Sequence, residues 1–233
     1  EAAKMCYRSN GEWQVPMVIR APYGGGIGGG LYHSQSVEAF FAHVPGLKVV
    51  IPSSPHDAKG LLKSAVRDPN PVLFFEPKKG YRLIKGDVPE NGDEVLVPLG
   101  EARVTREGRD LSVFAYGMMH HYCLEAAETV AEEGIDVEVV DLRTLLPLDK
   151  ETVLDSVKKT SKALIVYEDN LTGGYGAEIG SIIADDAFMF LDGPVKRLGG
   201  PDVPAMPYSH PLQDWFMPDP EKIADAMRDL AEF

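Results

Sequence analysis

The chain contains 233 residues, of which 44% are hydrophobic and 25% are charged, and it carries a formal net charge of −13. This composition is typical of a globular protein and excludes a disordered chain. The net negative charge argues against nucleic acid or an anionic membrane surface as a partner, and the apolar runs are too short to span a bilayer.

The first predicted elements are a helix end and a strand. Residues 1–11 are typical of the last turns of a helix that ends at Asn10-Gly11. Residues 15–19 form a short apolar run rich in β-branched side chains, which predicts a buried strand. Because the sequence opens on Glu1 without an initiator methionine, we expect a further segment to precede it.

A glycine-rich loop follows this strand. Residues 24–30 include six glycines and lead to His33. Glycine at this density serves where the backbone takes positive φ or closely approaches another group, so the loop predicts a functional element that presents His33. Residues 34–43 open with a hydroxyl and have apolar residues at helical spacing, which predicts a helix. Two alternatives are a flexible turn that bears a surface histidine and a phosphate-binding loop, although no Lys-Ser or Lys-Thr pair follows the glycines.

Two strands flanking a helix complete the first half of the chain, over residues 47–52, 54–66 and 71–76. The helix has a cap residue, Ser54, at its start. Polar turn-forming residues replace the apolar periodicity over residues 85–94. We therefore predict two domains, one over residues 1–92 and the other over residues 93–233.

Strands and helices alternate again after this boundary. The predicted strands are apolar and β-branched, and they cover residues 111–116, 137–141, 163–167 and 195–198. The predicted helices are residues 119–133, residues 149–159 and the segment after the glycine turn at Gly173. Alternation of this kind predicts parallel sheets, so the fold class is α/β with two parallel-sheet domains.

Several long motifs, in the same order along the chain, are similar to those of a known family. They are Tyr32-His-Ser-Gln-Ser, Asp57-Ala-Lys-Gly-Leu-Leu-Lys, Phe74-Phe-Glu-Pro-Lys, Val140-Asp-Leu-Arg-Thr-Leu-Leu-Pro-Leu-Asp and Leu171-Thr-Gly-Gly-Tyr-Gly-Ala-Glu-Ile. Over essentially its whole length the chain resembles the β subunit of the thiamine-diphosphate-dependent 2-oxo acid dehydrogenases. Within that family, Phe74-Phe-Glu-Pro-Lys and Glu38-Ala-Phe-Phe look like the branched-chain (2-oxoisovalerate) enzyme more than the pyruvate enzyme.

The resemblance implies an α2β2 enzyme that decarboxylates 2-oxo acids and passes the acyl group to lipoamide on a lipoyl acyltransferase core. It implies thiamine diphosphate with magnesium, shared with an α subunit that holds the diphosphate and the metal. His33 matches the family's catalytic histidine, which assists proton transfer during acyl transfer. The family's pyrimidine-contacting glutamate belongs to a segment before Glu1, so we expect a truncated pyrimidine-binding domain, a transketolase-like carboxyl-terminal domain and no activity of the chain alone.

The resemblance also implies a potassium site. In some relatives, backbone oxygens hold potassium at the positions that match Met17, Ala65, Asp68 and Asn70. Outward-facing carbonyls and a carboxylate at a helix end suit such a hard cation. A simple turn explains Asp68-Pro-Asn70 equally well.

Acidic residues are concentrated in the second half of the chain. Residues 1–95 contain 11 Lys and Arg against 10 Asp and Glu, whereas residues 96–233 contain 12 against 26. This distribution suits a basic protein partner, and a solvated surface kept for solubility is the alternative. In bacterial relatives the β-subunit carboxyl terminus meets arginines of the acyltransferase's subunit-binding domain, so we expect Phe233, Glu232 and Asp202 to contact that partner.

Other functions are compatible with parts of this sequence. They are a pyruvate dehydrogenase β subunit, a fragment of transketolase or deoxyxylulose-phosphate synthase, and a non-catalytic assembly module. A sugar-phosphate enzyme requires arginines at its site, and Arg103, Arg106 and Arg109 form the close group in this sequence.

Only two cysteines occur, Cys6 and Cys123, and their spacing is not that of a metal site. The low cysteine content predicts a reducing compartment, and we expect the protein to be cytoplasmic.

Overall fold

The computed structural model of the protein describes residues 1–88 and 95–233. The predicted domain boundary between residues 92 and 93 lies outside the described residues. The strands of residues 1–88 are β1 (Val18–Tyr23), β2 (Lys48–Val50) and β3 (Val72–Pro77). The helices of this range are α1 (Met5–Arg8), α2 (Gly30–His33), α3 (Glu38–Ala42), α4 (Pro55–Arg67) and α5 (Gly80–Leu83), and a 3₁₀ turn spans Ala2–Lys4.

The second half, residues 95–233, contains more strands and longer helices. Its strands are β4 (Arg103–Arg106), β5 (Leu111–Ala115), β6 (Val137–Asp141), β7 (Thr144–Leu146), β8 (Ala163–Asn170) and β9 (Lys196–Gly200). Its helices are α6 (Gly117–Ala131), α7 (Lys150–Thr160), α8 (Tyr175–Asp186), α9 (His210–Phe216) and α10 (Pro220–Ala231), with a 3₁₀ turn at Phe188–Phe190. None of the helices in the two described ranges is both long and apolar enough to cross a membrane.

The strands form two mostly parallel sheets, so the predicted α/β class is confirmed. The first sheet has the order β1-β3-β2-β7, and the second has the order β4-β6-β5-β8-β9. Two of the strand pairs are antiparallel, because β7 pairs antiparallel to β2 and β4 pairs antiparallel to β6. The four residues between β4 and β5 are too few for a parallel crossover, so β4 runs antiparallel to its neighbour β6, which is itself parallel to β5. Since β7 follows β6 in the chain, the second half supplies an edge strand of the first sheet.

Helices cover both faces of the second sheet. Leu111 and Val113 of β5 pack in the cluster that includes α6 and α10, whereas Phe114 packs in the cluster that includes α7 and α8. This alternation is the period of two that a strand buried on both sides requires. Helix α10 was not predicted over its full length, although its carboxylate cap, Asp219, accepts a hydrogen bond from the Lys222 N–H at 2.9 Å.

The segment around the glycine-rich loop differs from its prediction. The strand predicted over residues 15–19 is β1, Val18–Tyr23, because pairing with β3 begins at Val18. The helix predicted over residues 34–43 is shorter than expected: α3 begins only at Glu38, and α2 ends at His33, before the predicted range. Ser34 Oγ accepts the Gly29 N–H at 3.1 Å and the Gln35 carbonyl accepts the Gly24 N–H at 3.0 Å, so these two residues bond back to the loop and interrupt the helix.

A buried ionic cluster joins the two halves. Asp57 of α4 is fully buried and lies 3.2 Å from Arg103 and 3.4 Å from Arg143. Burial opposes ionisation of Asp57, but the Ser54 hydroxyl and the two guanidinium groups outweigh it and lower the pKa of that carboxyl. Beside it, Asp141 accepts the Ser53 hydroxyl at 2.8 Å, and burial raises the pKa of Asp141 to about 7. This cluster fixes the second half against α4 and the residues that directly precede it.

Candidate functional site

The glycine-rich loop joins β1 to α2 and follows a path that other residues would resist. Gly24 has a φ of +93°, and a Cβ at this position would lie 3.0 Å from Glu168 Oε2. A Cβ on Gly25 would lie 2.5 Å from the Met206 Cε. The loop therefore requires glycine both for its dihedral angles and for its close approach to the second half of the chain.

His33 ends α2 and is exposed. Its carbonyl oxygen accepts a hydrogen bond from Nζ of Lys78, which directly follows β3. This bond fixes the backbone of His33 while the residue remains open to a second molecule. The position suits the predicted role, and the assignment of His33 as a catalytic residue stays a prediction.

Two side chains of the second half hold the loop by its backbone. Glu168 Oε2 accepts the Gly25 N–H at 2.8 Å, and Gln213 Oε1 accepts the Gly28 N–H at 2.9 Å. Both side chains belong to residues that are 4% exposed. Burial raises the pKa of Glu168, although the Gly25 N–H, the Ser36 hydroxyl and nearby lysines favour its ionised form. The conformation of the loop therefore depends on the second half.

A buried carboxyl pair lies at the start of α3 and the end of β8. Glu38 is fully buried; its Oε1 accepts the Tyr116 hydroxyl at 2.8 Å, and its Oε2 has no hydrogen-bond partner among the described residues. Burial, with Asp169 nearby, raises the pKa of Glu38 to about 8. Burial also raises the pKa of Asp169, although the Asn170 N–H, which donates to it at 2.8 Å, favours its ionised form. We therefore place the proton of this pair on Glu38 at neutral pH.

A cleft of about 920 Å³ opens between the two halves beside the loop. Ser34 lines the cleft from the first half, one residue after His33. Glu168, Asp169 and Glu178 line it from β8 and α8. The cleft is therefore acidic on the side that the second half forms.

The residues expected to hold potassium lie where β1 begins and α4 ends. The Met17 carbonyl accepts an N–H of β3 at 2.8 Å, and the Ala65 carbonyl accepts the Asp68 N–H at 3.2 Å. The Asn70 N–H donates to Asp68 Oδ1 at 2.9 Å, and the Lys48 ammonium pairs with Asp68 Oδ2. Each carbonyl keeps a second lone pair, so a cation could still bind there, and the potassium site stays a prediction. Nowhere in residues 1–88 and 95–233 are three His, Cys, Asp or Glu side chains grouped to hold a metal ion.

The residues expected to contact the acyltransferase are exposed. Phe233 has 63% of its surface exposed at the end of α10, and Glu232 is exposed beside it. Asp202 accepts the Thr172 N–H at 3.1 Å and the Thr172 hydroxyl at 2.6 Å, and these bonds lower its pKa. Asp202 therefore has a structural role in its own domain, and the partner role of all three residues stays a prediction.

Two of the three arginines grouped at positions 103, 106 and 109 already have partners within the chain. Arg103 pairs with Asp57 at 3.2 Å, and Arg106 pairs with Asp136 at 3.4 Å. The structure therefore gives no support for a sugar-phosphate site at this group.

Sequence reasoning missed Glu168, Gln213 and the burial of Glu38. A signal existed for Glu168, because it directly follows the buried run over residues 163–167, and the carboxyl ends of parallel strands are where site residues gather. Glu38 and Gln213 gave no comparable signal, since each lies on a short helix whose burial depends on distant parts of the chain.

Comparisons with known proteins agree with this architecture. Residues 1–84 match the family described as transketolase, pyrimidine binding domain, and residues 100–223 match transketolase, C-terminal domain. Among solved structures, a split gene transketolase, described as an inactive beta4 tetramer, aligns with a TM-score of 0.73 at 23% identity, over 99% of this chain and 74% of that chain. This likeness concerns the fold alone.

Curated relatives define the family more narrowly. The chain is 56% identical over 233 residues to the 2-oxoisovalerate dehydrogenase subunit beta of Bacillus subtilis (strain 168). The aligned region covers 100% of this chain and 71% of that protein. It is 44% identical over 233 residues to the pyruvate dehydrogenase E1 component subunit beta of the same strain. That aligned region covers 100% of this chain and 70% of that protein. The chain thus belongs to the family of 2-oxo acid dehydrogenase β subunits, which combine the pyrimidine-binding and carboxyl-terminal domains of transketolase.

Proposed function

We propose that the protein is the β subunit of the decarboxylating component of a 2-oxo acid dehydrogenase complex that acts on branched-chain 2-oxo acids. The observation that carries this proposal is the 56% identity to a 2-oxoisovalerate dehydrogenase β subunit, against 44% to a pyruvate dehydrogenase β subunit of the same organism. The active enzyme is an α2β2 heterotetramer, and this chain alone is inactive. A cytoplasmic location completes the proposal.

The cofactor of this enzyme is thiamine diphosphate with magnesium, shared with the α subunit. When bound, it supplies an electron sink for the electron pair that carbon dioxide leaves behind. The exposed position of His33, at the end of a loop whose backbone is held in place by Glu168 and Gln213, fits one side of such a shared site. The magnesium ligands belong to the α subunit in this proposal. The proposal also includes a structural potassium ion, which binds at Met17, Ala65, Asp68 and Asn70.

His33 contributes proton transfer when the acyl group passes to lipoamide. As the dithiolane opens, one sulfur forms the thioester and the other takes up a proton, which His33 donates. An imidazole suits this task because it holds or releases a proton near neutral pH. The carbonyl of His33, held by Lys78, keeps the backbone in place while the ring acts.

Substrate preference tests the proposed function. The assembled α2β2 enzyme should show a higher kcat/KM for 2-oxoisovalerate than for pyruvate, measured with lipoamide and with the two acids under the same conditions. A hydrophobic pocket discriminates by about 1–3 kcal/mol per methylene, so the ratio should be about 10-fold or more. A higher kcat/KM for pyruvate would instead assign the chain to the pyruvate enzyme.

We further propose that the acidic second half binds the basic subunit-binding domain of the lipoyl acyltransferase core, with Phe233, Glu232 and Asp202 at the contact.

Affinity for that domain should fall as ionic strength rises from about 20 mM to about 150 mM, because salt screens exposed charges. Deleting residues 232–233 should weaken binding further. Phe188→Ala removes another exposed aromatic side chain of the same half and serves as the control. Affinity that is indifferent to both salt and deletion would assign the acidic surface to solubility.

A further inference from the structure

The loop that carries His33 is held at both of its ends by one carboxylate oxygen. Glu168 Oε2 accepts the Gly25 N–H at 2.8 Å, and the Ser36 hydroxyl donates to the same oxygen at 3.4 Å. Gly25 lies eight residues before His33 and Ser36 lies three residues after it. Glu168 therefore closes the segment over residues 25–36 into a loop with His33 inside it.

This contact is more than a surface hydrogen bond. Glu168 is 4% exposed at the end of β8, so its position is set by the second sheet and not by solvent. A carboxylate that accepts a buried backbone N–H makes a hydrogen bond about twice as strong as one between neutral groups. The charge has electrostatic support from Lys78 and Lys79, which directly follow β3.

The first half contributes two hydrogen bonds to the loop, from the Lys78 ammonium to the His33 carbonyl and from the Gly24 N–H to the Gln35 carbonyl. The second half makes further contacts besides that of Glu168. Gln213 Oε1 accepts the Gly28 N–H at 2.9 Å. The side chains of Met206 and Met217 pack so closely on Gly25 that a Cβ there would lie 2.5 Å from one and 2.9 Å from the other. Among these contacts from the second half, Glu168 thus supplies the acidic side chain.

We propose that Glu168 is a positioning residue for His33, acting by holding the ends of the segment 25–36 in place from the second half of the chain. This inference rests on the proposed function, because it assigns His33 to acyl transfer. Misplacing a reacting group by about 1 Å costs on the order of 10²-fold in rate. Loss of the carboxylate should therefore lower acyl transfer through His33 without removing any group that touches the substrate.

Steady-state kinetics of the assembled α2β2 enzyme provide the first test. Glu168→Ala should lower kcat for lipoamide-dependent turnover by about 10–100-fold and change KM by less than about 2-fold. Glu168→Gln keeps an oxygen that can accept the Gly25 N–H and should recover most of this loss. Asp185→Asn, at an exposed acid of α8 that does not line the cleft, is the matched control. Equal losses in the Ala and Gln variants would overturn the proposal.

A double variant separates positioning from a general structural effect. If Glu168 acts through His33, then Glu168→Ala should cost less than about 3-fold in a His33→Ala background, because residues that act as a unit are not additive. The same factor in both backgrounds would show that Glu168 acts independently of His33 and would overturn the proposal.

Hydrogen exchange tests the loop without relying on catalysis. The amides of residues 24–36 should exchange at least about 10-fold faster in Glu168→Ala than in the unmodified protein, and those of α10 should not change. If the enzyme oxidises no 2-oxo acid, the proposed function fails, yet faster exchange would still establish the hold on the loop. Unchanged exchange would overturn the positioning role even in an active enzyme. If Glu168→Ala does not fold, the same exchange comparison is made with Ser36→Ala, which removes the hydroxyl that donates to Glu168 Oε2; exchange no faster than in the unmodified protein would overturn the proposal.

Discussion

Replacing His33 with alanine in the assembled enzyme is expected to lower lipoamide-dependent turnover by about 10²–10⁴-fold, the usual size of a lost acid–base contribution. The reason is that the opening dithiolane loses its proton donor, while the glycine loop keeps its contacts with Glu168 and Gln213. Affinity for thiamine diphosphate should change little. Turnover with lipoamide and titration of the cofactor measure the two effects separately.

The partial reaction distinguishes a proton donor from a group that only shapes the loop. Decarboxylation coupled to an artificial electron acceptor needs no dithiolane, so His33→Ala should affect it less than lipoamide-dependent turnover. His43→Ala, at an exposed histidine after α3, is the matched control. Equal losses in the two assays would assign His33 a positioning role, and unchanged activity in both would make it an ordinary surface residue.

Replacing Glu38 with glutamine is expected to stabilise the protein at alkaline pH and to have little effect at acid pH. The pKa of Glu38 is raised from 4.5 to about 8, so the folded protein holds this proton more tightly than the unfolded chain does. The contribution of Glu38 to the free energy of unfolding is therefore full below about pH 4.5 and is lost as the pH rises toward 8. Glutamine keeps an oxygen for the Tyr116 hydroxyl and has no proton to lose.

Denaturant unfolding at a series of pH values measures this effect. Glu38→Gln should match the unmodified protein near pH 4 and exceed it by up to about 5 kcal/mol above pH 8, since the pKa is raised from 4.5 to about 8 and one pKa unit corresponds to about 1.4 kcal/mol. Glu128→Gln, at an exposed position on α6, should show no pH-dependent difference. A difference between Glu38→Gln and the unmodified protein that is constant with pH would contradict the assignment of the proton to Glu38.

Elements with a local signal were predicted well. The cap at Ser54 gave the start of α4, and the β-branched run over residues 137–141 coincides with β6. Elements that depend on distant partners were not predicted. β4 and β7 are short, and each is a strand because β6 or β2 lies beside it. A short segment that gains its hydrogen bonds from another part of the chain carries little periodicity of its own.

The same distinction holds for the candidate site, where some residues have a local sequence signal and others do not. The density of glycine before His33 made the loop conspicuous, because such a run is costly unless the backbone needs it. Glu168 and Glu38 are acidic side chains of ordinary appearance in the sequence, and their importance arises from burial. Burial of a carboxyl group is a property of the folded molecule, since it depends on which surfaces the two halves present to each other.

The strand β7 makes the two halves depend on each other, because it belongs to the second half in sequence and to the first sheet in space. Thr144–Leu146 lies between β6 and α7 in the chain, yet its hydrogen bonds go to β2 of the first sheet. A fragment that ends before residue 95 would leave the outer edge of β2 unpaired, and an unpaired apolar edge invites pairing with another chain. A fragment that begins at residue 95 would hold a strand with no sheet to join. The chain is therefore best regarded as a single folding unit, in which neither domain is a complete module without the other.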